Sequence, residues 1–276
     1  MQELAGRNAV VVGGGQGIGR GIALALAREG MDVAILDIEA DAAERTADEI
    51  AAIGVRSVGI RADVTNLDYL AAAARDVTDA LGPVHVLSNN AGVVIPQGPI
   101  AENTPAEWQW VFSVNLFGIV NCVQTFLPGM LAHGRGGHIV NTSSMAGLLA
   151  IRELEVGVYT ASKYACNGYT DILRGELADQ GIGVSVLCPG LIGTDLSLTS
   201  ARNRPARFGG PTTAAPMAED MKAEAMTPEQ VGPIVVRGIK ANRATILTHP
   251  ELAIPMTEAR FAGIRADGEA ELAERD

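Results

Sequence analysis

Tyr159-Thr160-Ala161-Ser162-Lys163 sets a phenol and an amine four residues apart. On a helix that spacing puts both side chains on one face. An ordinary phenol ionises near pH 10, so work as a base near neutrality needs ionisation made easier by about 4 kcal/mol. An ammonium about 4 Å away supplies an energy of that order at an effective dielectric of about 20. Such a pair can exchange a proton with an alcohol or carbonyl oxygen. The spacing recurs by chance in many helices, so its meaning depends on the motifs around it.

The first of these motifs is Gly13-Gly14-Gly15-Gln16-Gly17-Ile18-Gly19, which follows the β-branched run 9–12 and opens a helical pattern. Its spacing is Gly13-x-x-x-Gly17-x-Gly19; the Gly-x-Gly-x-x-Gly form fails because its last glycine would fall on Ile18. Glycines at such a turn let the backbone approach a pyrophosphate, whose charge is stabilised by the helix N-terminus. Asp37 ends the second apolar run, 18 residues after Gly19. A carboxylate there can accept both ribose hydroxyls of an adenosine and would repel a 2′-phosphate, and neither Ile38 nor Gln16 offers a cation to that phosphate. Read alone, Asp37 would also serve as a helix N-cap. Asp63, in Ala62-Asp63-Val64, could meet an adenine amine, and Asn89-Asn90-Ala91-Gly92 offers small residues where a cofactor passes. Each by itself is ordinary turn chemistry. Together the four segments place ligand-binding chemistry on one edge of a sheet, with NAD favoured over NADP.

The elements that must hold these residues alternate along the chain. Short apolar runs near 9–12, 33–36, 57–60, 84–87, 138–141, 184–187 and 245–247 read as strands. Stretches 20–29, 40–52 and 67–81 carry apolar residues at helical spacing, and longer helices are expected over 107–132 and 160–178. This alternation predicts an α/β fold, a Rossmann-type doubly wound parallel sheet of about seven strands in a single domain over 1–250. A closed eight-stranded barrel is the competing architecture; the glycine turn after the very first strand favours the open sheet. Residues 193–226 form a long excursion expected to act as a substrate lid, and 251–276 a C-terminal tail, a surface helix or frayed end. Arg202, Arg204 and Arg207 in the lid could bind a substrate carboxylate, but a solvated helix face covering the cofactor is the favoured reading.

Charge and composition narrow the partners. The 276 residues carry 21 Lys and Arg against 32 Asp and Glu, a net charge of −11. An acidic surface repels phosphate backbones and anionic lipid, so neither nucleic acid nor membrane is an expected partner. No run approaches the ~18 apolar residues of a membrane span. The first residues lack the basic and apolar regions of a secretory leader, so a cytoplasmic location is expected. Cys122, Cys166 and Cys188 show no Cys-x-x-Cys spacing and the four histidines no ligand spacing, so buried thiols and no metal are expected. The helices over 107–132 and 160–178 are apolar on more than one face, through Val111, Phe112, Leu116, Ile172 and Leu173. That predicts a homodimer or homotetramer.

Over roughly residues 5 to 250 the chain resembles the short-chain dehydrogenase/reductase family. The resemblance rests on the glycine loop, Asp37, Asp63-Val64, Asn90-Ala91-Gly92, Asn115 in Val114-Asn115-Leu116, Ser144, Tyr159, Lys163 and Pro189-Gly190, in the family's order. It implies that Tyr159 is the acid/base, that Lys163 binds the ribose hydroxyls and assists the phenol, that Ser144 holds the substrate oxygen, and that Asn115 supports Lys163 through a water. Pro189, Gly190 and Ile192 would border the nicotinamide, with Thr194 near its phosphate or carboxamide. Val12 stands where the family has a threonine, and Gln16 where serine or alanine is common. Ser144 lies 15 residues before Tyr159, about two more than usual, with Glu153 and Glu155 in the longer loop; Ser143 is the alternative if the register differs.

The resulting expectation is an NAD-dependent oxidoreductase that interconverts a secondary alcohol and a ketone. The competing readings are an NADPH-dependent 3-oxoacyl or carbonyl reductase of the same family and a non-catalytic NAD-binding sensor. Asp37 opposes the first and the intact Ser144, Tyr159 and Lys163 the second. The lid and His249-Pro250-Glu251 are similar to bacterial dehydrogenases of lignin-derived aryl alcohols. A steroid-like or other bulky apolar alcohol is equally compatible.

Overall fold

The computed structural model describes residues 1–151 and 154–275, so Glu153 and Asp276 lie outside the described residues. The apolar runs become seven strands: β1 (Asn8–Val12), β2 (Asp32–Asp37), β3 (Ser57–Arg61), β4 (Val86–Asn89), β5 (Gly137–Thr142), β6 (Ile182–Cys188) and β7 (Thr245–Leu247). All pair in parallel in the order β3-β2-β1-β4-β5-β6-β7. The order reverses between β1 and β4, and open sheets of this kind bind ligands outside the strand C-termini at such a point.

Strand periodicity divides the core. Ala9, Val11, Val33 and Ile35 face one side and pack with α1 (Gly17–Arg28), α2 (Ala40–Ala51) and α9 (Pro228–Lys240). Val10, Val12, Ala34 and Leu36 face the other and pack with α3 (Leu67–Leu81), α5 (Gly118–Ala132) and α6 (Gly157–Leu177). Both sheet faces are therefore covered, which is why the strands read as continuous apolar runs.

Two segments depart from the sequence reading, and the C-terminal tail takes the first of its two expected forms. The fourth strand was expected over 84–87 but runs Val86–Asn89, because the ladder continues through Ser88 and Asn89, two buried polar residues invisible to an apolar count. Asn89 Nδ2 donates to Asn141 Oδ1 of β5 at 2.8 Å, which satisfies the donor inside the sheet. The helix expected over 107–132 starts at Pro105 on a Thr104–Glu107 capping box as α4 (Pro105–Phe112), then passes through a π-helical turn (Ser113–Phe117) before α5. The continuous helix Pro105–Ala132, 28 residues long with an 18-residue window of mean hydropathy 1.5, is long and apolar enough to cross a membrane, contrary to the expectation that no run approaches a span. It is packed instead as a core helix, with Val111, Ile119, Cys122, Val123, Phe126 and Met130 buried against the domain. The tail is a 24-residue helix, α10 (Pro250–Ala273), whose only buried residue is Ala253.

The excursion 193–226 has its own structure: α7 (Leu196–Asn203), a 3₁₀ turn (Ala206–Phe208) and α8 (Glu219–Glu224). It is pinched at its base. Gly193 N donates to Met226 O, Met226 N to Leu191 O, and Ile192 pairs with Met226 as an isolated bridge.

Candidate active site

The turn after β1 uses glycine where nothing larger fits. Gly13 has φ +71°, and a Cβ there would lie 2.6 Å from Ala91 N. A Cβ on Gly19 would lie 2.0 Å from Gly13 O. Asn90 Nδ2 donates to the same Gly13 carbonyl, and its Oδ1 accepts from Thr142, so the Asn90 side chain braces the loop. Gly17, at φ +53°, faces Thr194, whose Cγ2 would be 3.3 Å from an added Cβ. Gln16 occupies the N-cap of α1 without a side-chain cap, and the first turn, which includes Ile18, holds no acid. The orphan amides of that helix end are thus available to an anion.

Asp37 is buried at the end of β2, where Oδ2 accepts from Gly15 N at 2.9 Å and Oδ1 from Glu39 N at 3.1 Å. Each oxygen keeps a lone pair for a ribose hydroxyl. Burial pushes this carboxyl above the usual carboxylate range, against the opposing pull of the Glu39 and Gly15 amides. Asp63 Oδ1 is engaged by Thr65 N and Oγ1, and its other oxygen takes no protein partner among the described residues. Val64 is packed beneath α5: a Cβ on Gly118 would sit 2.7 Å from Val64 Cγ2. Its side chain therefore positions the helix. These features fit a dinucleotide, with a side-chain-free cradle for its pyrophosphate and a carboxylate for its ribose.

At the other end of the groove, side chains replace bare backbone. Lys163 is buried, its Nζ donating to Thr142 O at 2.9 Å and lying 5.4 Å from the centre of the Tyr159 ring. Tyr159 is half-buried, at the start of α6. Gly92 leaves room beside this pair; a Cβ there would be 3.5 Å from Lys163 Nζ and 3.6 Å from Asn115 Oδ1. Asn115, fully buried in the π-turn, accepts from Val93 N and donates to Val93 O and Ser162 Oγ. Its amide fixes the loop after β4, leaving one Oδ1 lone pair toward the Gly92 gap. Ser162 in turn donates to Tyr159 O, tying the two elements together.

The two candidate serines differ in their hydrogen bonds. Ser143 is buried and spends its hydroxyl proton on Lys163 O at 3.0 Å. Ser144 is half-buried and only accepts, from Ala146 N, so its O–H remains free to donate. Pro189 O accepts from Met145 N, and Gly190 N donates to Thr248 Oγ1 at 2.9 Å. A Cβ on Gly190 would be 2.5 Å from His249 Nδ1, so Gly190 is small because the chain after β7 crosses it. Ile192 is buried at the lid base.

Residues 7–205 match the family described as short chain dehydrogenase. The chain belongs to that family. It is 31% identical over 259 residues to the C alpha-dehydrogenase of Sphingobium sp., covering 91% of this chain and 83% of that one. A cyclohexanol dehydrogenase of Acinetobacter sp. is 35% identical over 188 residues, 68% of this chain and 74% of that one. Among solved structures, a short chain dehydrogenase/reductase of Burkholderia phymatum in complex with NAD superposes with a TM-score of 0.87 at 33% identity, covering 97% of each chain.

In this short chain dehydrogenase the 193–226 excursion is docked by its own arginines on residues the sequence did not single out. Glu39 Oε1 accepts from Arg202 and from Asn203 Nδ2. Burial alone would raise the Glu39 carboxyl, but these two partners hold it below the usual carboxylate range. Ser200 Oγ accepts from Val94 N, and Arg207 donates to Thr65 Oγ1. Arg204 is buried, donates to Phe208 O, lies over the Trp110 ring and pairs with Glu107. All three arginines of the excursion thus have protein partners, and Arg204 is buried beyond the end of α7, so they do not form the solvated helix face expected from the sequence. Glu39, Ser200, Thr142 and Thr248 were not legible because each acts through one hydrogen bond to a distant loop, a pairing no spacing encodes.

Proposed function

We propose that the chain is an NAD-dependent oxidoreductase that interconverts a secondary alcohol and a ketone, acting on a bulky apolar or aromatic substrate. The observation that carries this reading is the buried Lys163 amine, fixed on Thr142 O beside the Tyr159 ring at the mouth of the glycine-loop groove. Bound in that groove, the nicotinamide supplies the hydride acceptor or donor. The chain's own residues handle the oxygen and its proton. Ser144 donates its free O–H to the substrate oxygen, orienting it toward Tyr159. The phenol takes the hydroxyl proton during oxidation and returns it during reduction. Lys163 stabilises the ionised phenol electrostatically and reaches the ribose hydroxyls, and a water in the gap beside Gly92 would link it to Asn115.

Asp37 supports NAD over NADP, since a buried carboxylate with no neighbouring cation on Ile38 disfavours a 2′-phosphate. The adenine amine is assigned to the free oxygen of Asp63, the pyrophosphate to the amides around Gly17, and the nicotinamide edge to Pro189, Gly190, Ile192 and Thr194. The apolar residues that follow Ser144, half-buried Leu148 between buried Met145 and Leu149, suit an apolar substrate, as does similarity to the C alpha-dehydrogenase and the cyclohexanol dehydrogenase. We also assign a homodimeric or homotetrameric assembly, because Phe117 and Ile172 are 56% and 67% exposed on neighbouring helical segments. The three buried free thiols support a reducing, cytoplasmic setting.

The test is a panel of aryl, cycloalkyl and steroid secondary alcohols with NAD and with NADP, followed by absorbance of the reduced cofactor. Turnover of at least one class, with NAD far superior to NADP in kcat/KM, is expected. No turnover with any alcohol or its ketone refutes the enzymatic reading, and equal efficiency with both cofactors refutes the role of Asp37. Light scattering at micromolar concentration should return a dimer or larger; a monomer refutes the assembly.

A further inference from the structure

We propose a second ligand site at the opposite, N-terminal edge of the sheet, where Arg7, Arg135 and Arg174 bind a small polyanion of the phosphate class. These arginines line an open cavity of about 470 Å³ at the start of β5 and β6, whose floor is largely glycine backbone: Gly136, Gly137, Gly181 and Gly183. Strand β5 separates this floor from the candidate active site; Gly137 and Thr142, at about 3.3 Å per residue, lie roughly 16 Å apart.

Arg20, Arg56, Arg202, Arg204 and Arg275 each pair with a carboxylate. Arg7, Arg135 and Arg174 belong to the arginines that form no ion pair among the described residues, and these three share one cavity. Arg7 donates only to Arg135 O, and Arg174 to Val184 O, Asn242 O and Asn242 Oδ1, all neutral acceptors. The Arg135 guanidinium has no hydrogen-bond partner among the described residues. Glu3 is the single carboxylate lining the cavity. Three unneutralised guanidinium groups converge on one concavity of a protein whose net charge is −11.

Two neighbouring imidazoles register the same field. His85 is held down to about 4, by burial first and then by Arg135, His133 and Arg7. His138 is held down to about 3, by burial first and then by the amino terminus and Arg174. His138 Nδ1 is buried without a partner, and a Cβ on the cavity-lining Gly183 would lie 2.4 Å from it. Guanidinium forks match phosphate oxygens in pairs, and a concavity of this volume suits a small solute. A polymeric nucleic acid would meet the acidic surface around it.

The experiment is calorimetric titration of inorganic pyrophosphate at constant ionic strength, with and without saturating NAD. Wild type should bind about one pyrophosphate per chain in a saturable way that NAD leaves unchanged. Arg135→Ser should weaken it at least about tenfold, the loss expected for charged hydrogen bonds. Arg7→Gln should add to that loss, and Arg75→Ser, on α3 and outside the cavity lining, should change nothing. Arg174 is left intact because it also ties β6 to the chain before β7. Absence of saturable binding, binding indifferent to Arg135→Ser, or binding abolished by NAD each overturns the proposal; the last would place the anion at the glycine loop.

Discussion

The two ends of the groove are built by opposite means. Around Gly13, Gly15, Gly17 and Gly19 the site is made by leaving side chains out; a Cβ on Gly15 would lie 2.8 Å from Ala42 Cβ and 2.9 Å from Asp37 Oδ2. Around Tyr159 the site is made by side chains, each tied to a carbonyl: Lys163 to Thr142 O, Ser143 to Lys163 O and Ser162 to Tyr159 O. The first end cannot tolerate added atoms, and the second cannot tolerate lost ones. Substitutions should therefore fail in different observables, binding and folding at one end and turnover at the other.

The largest separation is expected from Tyr159→Phe, which deletes one oxygen and preserves the ring. Turnover should fall by the ~10²–10⁴-fold typical of a general acid/base, with NAD affinity and thermal stability retained. Near wild-type turnover in this variant would sink the mechanism. Lys163→Ala blurs the division usefully: it should lose turnover and also weaken NAD, because it serves the ribose as well as the phenol.

Gly19→Ala tests the other end. The added methyl collides with the Gly13 carbonyl, and relief by backbone movement costs about 1–3 kcal/mol or more. A lower Tm together with at least tenfold weaker NAD binding is expected; a variant as stable and as NAD-avid as wild type contradicts the cradle.

Asp37→Asn should narrow the NAD-to-NADP ratio by a smaller factor, and it carries a pH signature. Ribose hydroxyls donate to the ionised carboxyl, whereas burial favours the protonated one. Affinity should then fall as pH drops through the raised carboxyl value, and Asp37→Asn should erase that slope. Fluorescence titrations of NAD between pH 8 and pH 5 measure it. The smallest effect belongs to Glu39→Gln, which loosens a partly exposed ion pair worth about 0.2–1 kcal/mol. An NAD KM raised less than about fivefold, with kcat unchanged or higher, is expected; a hundredfold loss would show that Glu39 does more than hold the lid.

The strand count, the parallel sheet and the order of motifs were legible because each rests on local chemistry: β-branched runs, glycines at a first turn, and a Tyr–Lys pair one helical turn apart. What escaped was pairing across the chain. Ser88 and Asn89, buried but polar, extend β4 through ladder pairing with β1 and β5, so the apolar run ended before the strand did. The π-turn at 113–117 has no composition signal, although it carries Asn115. The choice between Ser143 and Ser144 needed the position of the Lys163 carbonyl, 20 residues away. The lid arginines could not be assigned until Glu39, Thr65 and Glu107 were seen beside them.

The attachments of the 193–226 excursion differ in their sensitivity to ions. At its base, main-chain bonds join Leu191 and Gly193 to Met226, and inside it Ser200 grips Val94 N in a part-buried contact. At its far edge Arg202, 58% exposed, holds Glu39 through charge. Added salt screens exposed pairs and spares buried hydrogen bonds. Rising ionic strength should thus peel the edge over β2 before the base yields, so that dissociation of a dinucleotide quickens with salt while the protein's melting temperature scarcely moves.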